Sequence, residues 1–171
     1  MKMRRTCGGA GGTVAVMGLA AALWAGTPDG ARAQATEIAG NRAAVRAELE
    51  AYYEDLSARD WEAFADHFWP DATLATVWRP PGEERERVET VTVEEFVERA
   101  PQGPGSKEIF EERMTSLEIR RFLPIAQARA RYEARFGDPG NVREWEGTDV
   151  FTLVRHEQRW RIVSVAYAAD D

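Results

Sequence analysis

Apolar and polar residues alternate with a period of two from Asn141 to Ala168, on both sides of a polar stretch at His156 to Gln158. This pattern predicts two long strands joined by a tight turn. Asp149 is the exception, because it places a carboxylate on the apolar face of the first strand. The second strand is apolar on both faces, which is typical of a central strand or of one covered by a second subunit. The predicted faces are Trp145, Gly147, Asp149, Phe151 and Leu153 in the first strand, and Trp160, Ile162 and Ala166 opposite Val163, Val165 and Tyr167 in the second.

Helical periodicity marks the earlier part of the chain. A first helix is predicted from about Thr36 or Asn41 to Ser57, and Asp60 can cap a short second helix that follows it. Thr92 and Glu95 form a capping box, which predicts the start of a third helix. The apolar stripe of the first helix consists of Val45, Leu49, Tyr52 and Leu56.

The remaining segments predict the rest of a sheet. Ala72 to Arg79 and Arg87 to Val91 can pair as a hairpin, and Glu111 to Leu123 and Ile125 to Phe136 are two further long strands. Three N-terminal helices on one side of a curved antiparallel sheet are an α+β arrangement. Such a sheet leaves a concave, cone-shaped pocket.

Two stretches resemble the nuclear transport factor two-like superfamily. They are YYEDLSARDWEAFADHFWPDATLATV, from Tyr52 to Val77, and TDVFTLVRHEQRWRIVSVAYA, from Thr148 to Ala168. The resemblance covers residues 38–168 and implies the cone-shaped, cystatin-like α+β roll of ketosteroid isomerases and SnoaL-like cyclases. Because this fold carries enzymes, ligand binders and dimerisation modules, the resemblance implies the fold more specifically than the function.

The resemblance to the ketosteroid isomerases also implies roles for individual residues. Tyr52 resembles the tyrosine of their oxyanion hole, and Asp149 resembles the second donor, an aspartic acid that an apolar site keeps protonated. The aspartate that moves the proton in those enzymes falls near Thr76 here, and threonine is not a general base at neutral pH. Steroid isomerisation is therefore not supported.

His67 and Asp71 lie four residues apart and allow two interpretations. They could act as a base and the group that orients it. Alternatively, Asp71 caps backbone amides in a turn and His67 lies at the surface. Asp149 also allows two interpretations. It is either a buried acid with a raised pKa, or a carboxylate that is paired with an arginine or a backbone amide.

Tyr52 and Asp149 place a polar pair among apolar faces, and this arrangement predicts a ligand pocket in the cone. Its aromatic residues suit a flat apolar ligand, although such residues are also common in protein cores. No metal site and no cofactor are predicted, because the two histidines are far apart in sequence and the single cysteine, Cys7, precedes the folded domain. The predicted lining is Tyr52, Leu74, Thr76, Trp78, Trp145 and Asp149, and the candidate catalytic residues are Tyr52, His67 and Asp149.

The N-terminus has the pattern of a secretory signal. A basic run is followed by an apolar segment from about Thr13 to Gly26, and then by the small-x-small motifs Ala31-Arg32-Ala33 and Ala33-Gln34-Ala35. We therefore expect a signal peptide over residues 1–35, a single domain over residues 36–171, and a periplasmic or secreted location. The apolar run is shorter than the roughly 20 residues that span a bilayer.

Charge limits the partners of the mature chain. Removal of residues 1–35 changes the formal net charge from −7 to −10, since four basic residues and one acidic residue are lost. A surface this acidic disfavours nucleic acid and anionic lipid as partners. Arg129, Arg131 and Arg135 are predicted to lie opposite Glu144 and Glu146, a charge pattern for antiparallel pairing on the outer face of the sheet, which meets either water or a second copy.

Three functions are compatible with these features. The first is an exported domain that binds a small, largely apolar molecule in its cone, as a homodimer formed through the sheet. The second is a lyase or isomerase in which Tyr52 and protonated Asp149 stabilise an enolate and either His67 or a group of the substrate moves the proton. It requires His67 to face the pocket. The third is an association module whose pocket has no ligand.

Overall fold

The computed structural model describes residues 28–79, 82 and 84–170. Its helices are α1 (Pro28–Ala58), α2 (Trp61–Asp66) and α3 (Val93–Arg99), followed by two short 3₁₀ turns between Ala100 and Ser106. The Asp60 side chain accepts from the Ala63 amide, 3.1 Å away, and Thr92 and Glu95 form the predicted capping box at α3. The predicted caps are therefore confirmed.

Helix α1 begins earlier than predicted, at Pro28 instead of Thr36 or Asn41. Residues 32–40 are exposed, so they carry no apolar stripe that the sequence could reveal. Most of the predicted signal, residues 1–27, lies outside the described residues, and the two predicted cleavage motifs fall in the first turns of α1. None of the helices described is long and apolar enough to span a membrane.

Six strands form one curved sheet in the order β2-β1-β6-β5-β4-β3. The prediction of an antiparallel sheet is correct for four of the five pairings and wrong for the fifth, because β1 and β6 run parallel. The chain returns to β1 only after the long excursion through β2 to β5, so periodicity gives no direct signal for this pairing. The strands are β1 (Phe68–Trp78), β2 (Arg87–Thr92), β3 (Ile109–Phe122), β4 (Ile125–Asp138), β5 (Asn141–His156) and β6 (Arg159–Ala169).

The inner faces of β4 and β5 are as predicted, since Asp149, Phe151 and Leu153 are buried together with the alternating alanines of β4. In β6 the predicted face was wrong beyond Ile162. A register shift opposite Thr152 and Leu153 turns Val165 inward, paired with Phe151, and leaves Ala166 outside. One extra residue in a strand exchanges its two faces, which a strict period of two cannot anticipate.

The core lies between α1 and the concave side of the sheet. Val45, Leu49 and Leu56 of α1 are buried in it as predicted, with Phe64 of α2 and Phe151 of β5. The cone stays open where the first half of β3 meets the neighbouring parts of β4 and β5.

Gly147 of β5 permits the close approach of the Tyr132 ring from β4. A Cβ atom there would lie 2.3 Å from the ring of Tyr132, so any other residue would displace that tyrosine from its cross-strand position.

Candidate functional site

A cavity of about 940 Å³ lies between α1 and strands β3 to β5. Helix α1 contributes one wall, and the strands contribute the other with residues near positions 111–116, 133–135 and 144–146. Tyr53 and Trp145 bring aromatic surface to it, and Met114 and Ala134 bring aliphatic surface. The carboxylates that line it are Glu50, Glu54, Glu111, Glu112, Glu133, Glu144 and Glu146, and the cations are Arg46, Arg113 and Arg135.

Tyr53 and Asp149 form a buried polar pair at this cavity. The Tyr53 hydroxyl donates a short hydrogen bond to Asp149 Oδ2, and both residues are almost fully buried. Desolvation raises the pKa of Asp149 to about 7, although the Tyr53 hydrogen bond acts in the opposite direction. Burial, followed by the nearby charge of Asp149, raises the pKa of Tyr53, which therefore stays a hydrogen-bond donor.

Glu112 lines the same cavity from β3. Desolvation, followed by the charge of Asp149, raises the pKa of its side chain to about 8. The backbone amide of Glu112 donates to Ser57 Oγ, and its backbone carbonyl accepts from the same hydroxyl, both at 2.9 Å. These two bonds fix β3 to the end of α1 and hold Glu112 at the cavity.

Sequence reasoning missed both Glu112 and Tyr53. Glu112 lies two residues before Met114 and therefore shares a strand face with an apolar residue, so its position in the alternation was the available signal. Tyr53 follows Leu49 by four residues and therefore also belongs to the apolar stripe of α1. Tyr52 and Tyr53 are both buried, and a turn of about 100° per residue directs Tyr53 to Asp149.

Tyr52 instead packs in the aromatic core. Its ring lies 5.3 Å from Phe64, 5.9 Å from Phe68 and 5.3 Å from Phe151, measured between centroids. The tyrosine that hydrogen-bonds Asp149 is therefore Tyr53, whereas the sequence analysis named its neighbour Tyr52 as the oxyanion donor beside Asp149.

Of the six residues predicted to line the pocket, Trp145 is the one that lines this cavity. Leu74 is buried in the core, and Asp149 is reached through Tyr53. Thr76 and Trp78 lie on β1, three strands away from β4, with Trp78 partly exposed beneath the Arg87 guanidinium at 5.2 Å. The cavity forms on the β3 side of the sheet, whereas the prediction extended it across to β1.

His67 is buried between two carboxylates and does not line the cavity. Nδ1 lies 2.9 Å from Glu48 Oε1, and Nε2 lies 2.8 Å from Asp55 Oδ2. Burial alone would lower the pKa of His67, but the hydrogen bonds to Glu48 and Asp55 raise it above its usual value. Since both ring nitrogens are engaged, His67 joins α1 to the segment before β1 and does not supply the base that the lyase or isomerase hypothesis requires.

Asp71 neither orients His67 nor caps backbone amides of the residues that the structure describes, so both interpretations of this residue were wrong. It is exposed at an irregular position of β1 with a φ of 63°, and within the described residues its side chain makes no hydrogen bond. His67 is therefore neither oriented by Asp71 nor exposed at the surface.

Residues 40–168 match the model of a protein family described as "Putative lumazine-binding". The chain belongs to this family. Among proteins with curated descriptions, none matches it significantly. The match covers α1 from its second half onward and every strand.

Solved structures show which fold this lumazine-binding family member has. A nuclear transport factor two-like protein with a cystatin-like fold from Novosphingobium aromaticivorans is 14% identical, with a TM-score of 0.67 over 86% of this chain and 92% of that one. A conserved protein from Planctomyces limnophilus is 21% identical, with a TM-score of 0.62 over 77% and 98%. The β subunit of the Burkholderia mallei benzoate 1,2-dioxygenase is 14% identical, with a TM-score of 0.58 over 74% and 88%. The predicted cone-shaped, nuclear transport factor two-like α+β fold is thus confirmed.

The arginines around the cavity of this lumazine-binding family member are already paired. Arg46 lies 3.5 Å from Glu50, Arg113 lies 2.6 Å from Glu133, and Arg135 contacts both Glu111 at 2.9 Å and Glu144 at 3.0 Å. The hydrogen-bonding groups deeper in the site are the carboxyls of Glu112 and Asp149 and the Tyr53 hydroxyl. A carboxyl near its pKa can both donate and accept, so this site can bind an uncharged polar edge or exchange a proton with it.

Proposed function

We propose that this domain binds a small, largely apolar molecule in the cavity between α1 and strands β3 to β5. The observation that carries the proposal is the open cavity of about 940 Å³, which lies within the roughly 300–1,000 Å³ of ligand pockets. Tyr53, Trp145, Met114 and Ala134 give the cavity the aromatic and aliphatic surface that is typical of such sites, and charged side chains surround it. The family description names lumazine, which favours a flat heteroaromatic compound as the ligand class.

The polar groups suit such a compound. Trp145 offers a flat apolar surface, while Glu112 and the Tyr53–Asp149 pair offer hydrogen bonds at the inner end of the cavity. Because both carboxyls have raised pKa values, they can meet ring N–H and carbonyl groups without the cost of a buried unpaired charge.

Trp145→Ala tests the position of the ligand. We expect the affinity for lumazine, measured by isothermal titration calorimetry, to fall about tenfold, because an aromatic contact contributes roughly 0.5–1.5 kcal/mol beyond area burial. Trp78→Ala is the matched control, since Trp78 is also partly exposed but lies outside the cavity. Equal losses in the two variants, or no binding of lumazine by the folded wild type, would contradict this proposal.

We also propose that the domain is a homodimer formed through the outer face of β2, β1, β6 and β5. Thr90, Ala75, Ala166 and Val150 form one cross-strand row on this face, and Val77 and Val88 form a neighbouring pair. Val77, Val88 and Val150 are 58%, 73% and 44% exposed. On β3 and β4 the face continues with Arg129 and Glu118, an ion pair outside the cavity that can meet the same pair of a second copy across a twofold axis.

Val150→Arg tests the dimer, because it places a charge in the middle of this uncharged face. Light scattering after size exclusion should give twice the chain mass of 19.2 kDa for the wild type and the chain mass for Val150→Arg. Phe122→Ser removes another exposed apolar side chain outside the face and should remain dimeric. A monomeric wild type would rule out the dimer.

Finally, we propose that the domain acts outside the cytoplasm, since the basic run, apolar segment and small-x-small motifs of residues 1–35 form a signal pattern. N-terminal sequencing of the natural protein should then start after Ala33 or Ala35. A sequence that starts at Met1 would exclude cleavage.

A further inference from the structure

Exposed apolar side chains gather at the end of the sheet opposite the cavity. Phe122, Leu123 and Ile125, on both sides of the β3–β4 turn, are 63%, 40% and 42% exposed. The β5–β6 turn lies beside them, because the Arg155 amide donates to the Pro124 carbonyl at 2.7 Å. Trp69, 39% exposed, reaches the same turn through an edge contact with His156, with ring centroids 5.2 Å apart. We call residues 120–125 and 155–159 the tip.

The tip is basic although the whole chain carries a net charge of −7. Its charged residues are four arginines, Arg120, Arg121, Arg155 and Arg159, and one carboxylate, Glu157, and Arg159 is ion-paired with Asp66 of α2 at 3.0 Å. Within the part of the chain that the structure describes, Arg120, Arg121 and Arg155 have no carboxylate partner, whereas the arginines around the cavity are all ion-paired. Positive charge and apolar surface are therefore concentrated together at one end of the molecule.

We propose that the tip inserts Phe122, Leu123 and Ile125 into the interfacial layer of a bilayer that contains anionic phospholipids. Apolar side chains at the apex of a turn with arginines around them match the two parts of such a surface, the acyl boundary and the anionic headgroups. Trp69 suits the headgroup level, where tryptophan is enriched. The acidic remainder of the chain does not prevent this contact, because its charges are screened beyond a Debye length of about 8–10 Å.

A bilayer fits better than an acidic protein segment. The apolar side chains project at the end of a hairpin. The cavity beside the turn is shallow and open, and its lining mixes Leu123 and Pro124 with Arg155, Glu157 and Gln158. This contact differs from the signal segment, because it is peripheral and uses the folded domain. It is also independent of the ligand proposal, since the cavity lies at the other end of the strands.

A site-specific label tests the insertion in the full chain. In a Cys7→Ser background, Leu123→Cys carries an environment-sensitive nitrobenzoxadiazole group, and Asn141→Cys at the opposite end of the sheet carries the same group as the matched control. We expect vesicles of phosphatidylglycerol and phosphatidylcholine to shift the emission of the label at 123 to shorter wavelength and to leave the label at 141 unchanged. Because the readout is local, any binding by residues 1–27 does not produce this difference.

Two further changes separate the apolar and the charged contributions. Phe122→Ser in the labelled chain should lower the apparent vesicle affinity about tenfold, as expected for loss of a large apolar contact. Arg120→Gln with Arg155→Gln should lower it by a similar factor for anionic vesicles. The proposal is overturned if the label at 123 does not respond to anionic vesicles, if it responds no more than the label at 141, or if only polyglutamate binds, which would indicate an acidic polypeptide partner.

Discussion

His67→Ala is expected to lower the free energy of unfolding by about 3 kcal/mol at pH 6. The variant leaves Glu48 and Asp55 facing each other across an empty space, and removal of one member of a buried charged group costs roughly 3–5 kcal/mol. We expect the lower end of this range because the two carboxylate side chains are 17% and 30% exposed. Urea denaturation at fixed pH measures the change.

The pH dependence of the stability loss in His67→Ala shows whether His67 acts through its charge or only by filling space. The folded-state pKa of His67 is raised above its unfolded value of about 6.5. Its stabilising contribution is therefore fully present below pH 6.5 and is lost as the pH rises through the folded pKa. The difference between wild type and His67→Ala should shrink accordingly at alkaline pH.

His156→Ala is the control, because this second histidine is exposed. We expect a change within about 0.5 kcal/mol, as for other surface substitutions. A His67→Ala variant that is as stable as His156→Ala would refute the structural role of the His67 group.

Asp149→Asn is expected to stabilise the domain at pH 8 by about 2 kcal/mol. Burial raises the pKa of Asp149 from 3.8 to about 7 in the folded state, so the wild type binds a proton on folding. The stability that this proton provides is fully present below pH 3.8 and is lost as the pH rises through 7. Asparagine has no charge to bury and can still accept from Tyr53, although it forms a weaker hydrogen bond than a carboxylate does.

Urea denaturation at pH 4 and at pH 8 measures the difference in the free energy of unfolding between Asp149→Asn and the wild type. The two proteins should be nearly equal at pH 4 and differ at pH 8. Glu98→Gln removes one exposed carboxylate and should be neutral at both values. A variant that is less stable than the wild type at pH 8 would show that the ionised Asp149 carboxylate stabilises the fold, contrary to the raised pKa.

Much of the fold could be predicted because local chemistry decides it. Asp60, Thr92 and Glu95 mark helix starts by side-chain hydrogen bonds within three residues, and the alternation in β4 follows directly from one buried face. The parallel pairing of β1 with β6 and the register shift in β6 are long-range features, so periodicity does not reveal them.

The candidate site was only partly predictable for a similar reason. Asp149 could be found because a carboxylate on an apolar face is conspicuous in any strand. Its partner could not be chosen between Tyr52 and Tyr53, since both belong to the buried side of α1 and only the three-dimensional approach of α1 to β5 selects Tyr53. Thr76 and Trp78 were assigned to the pocket from the strand pattern alone, which does not show where along a curved sheet the cone stays open.

The cavity between α1 and strands β3 to β5 is the proposed binding site of a small molecule. The most direct test is to record the tryptophan indole signals by ¹H–¹⁵N NMR during titration with lumazine, with Trp145→Ala and Trp78→Ala used to assign two of the six signals. We expect a saturable shift of the Trp145 signal, while the Trp78 signal stays in place. No shift at Trp145, or an equal shift at Trp78, would contradict it.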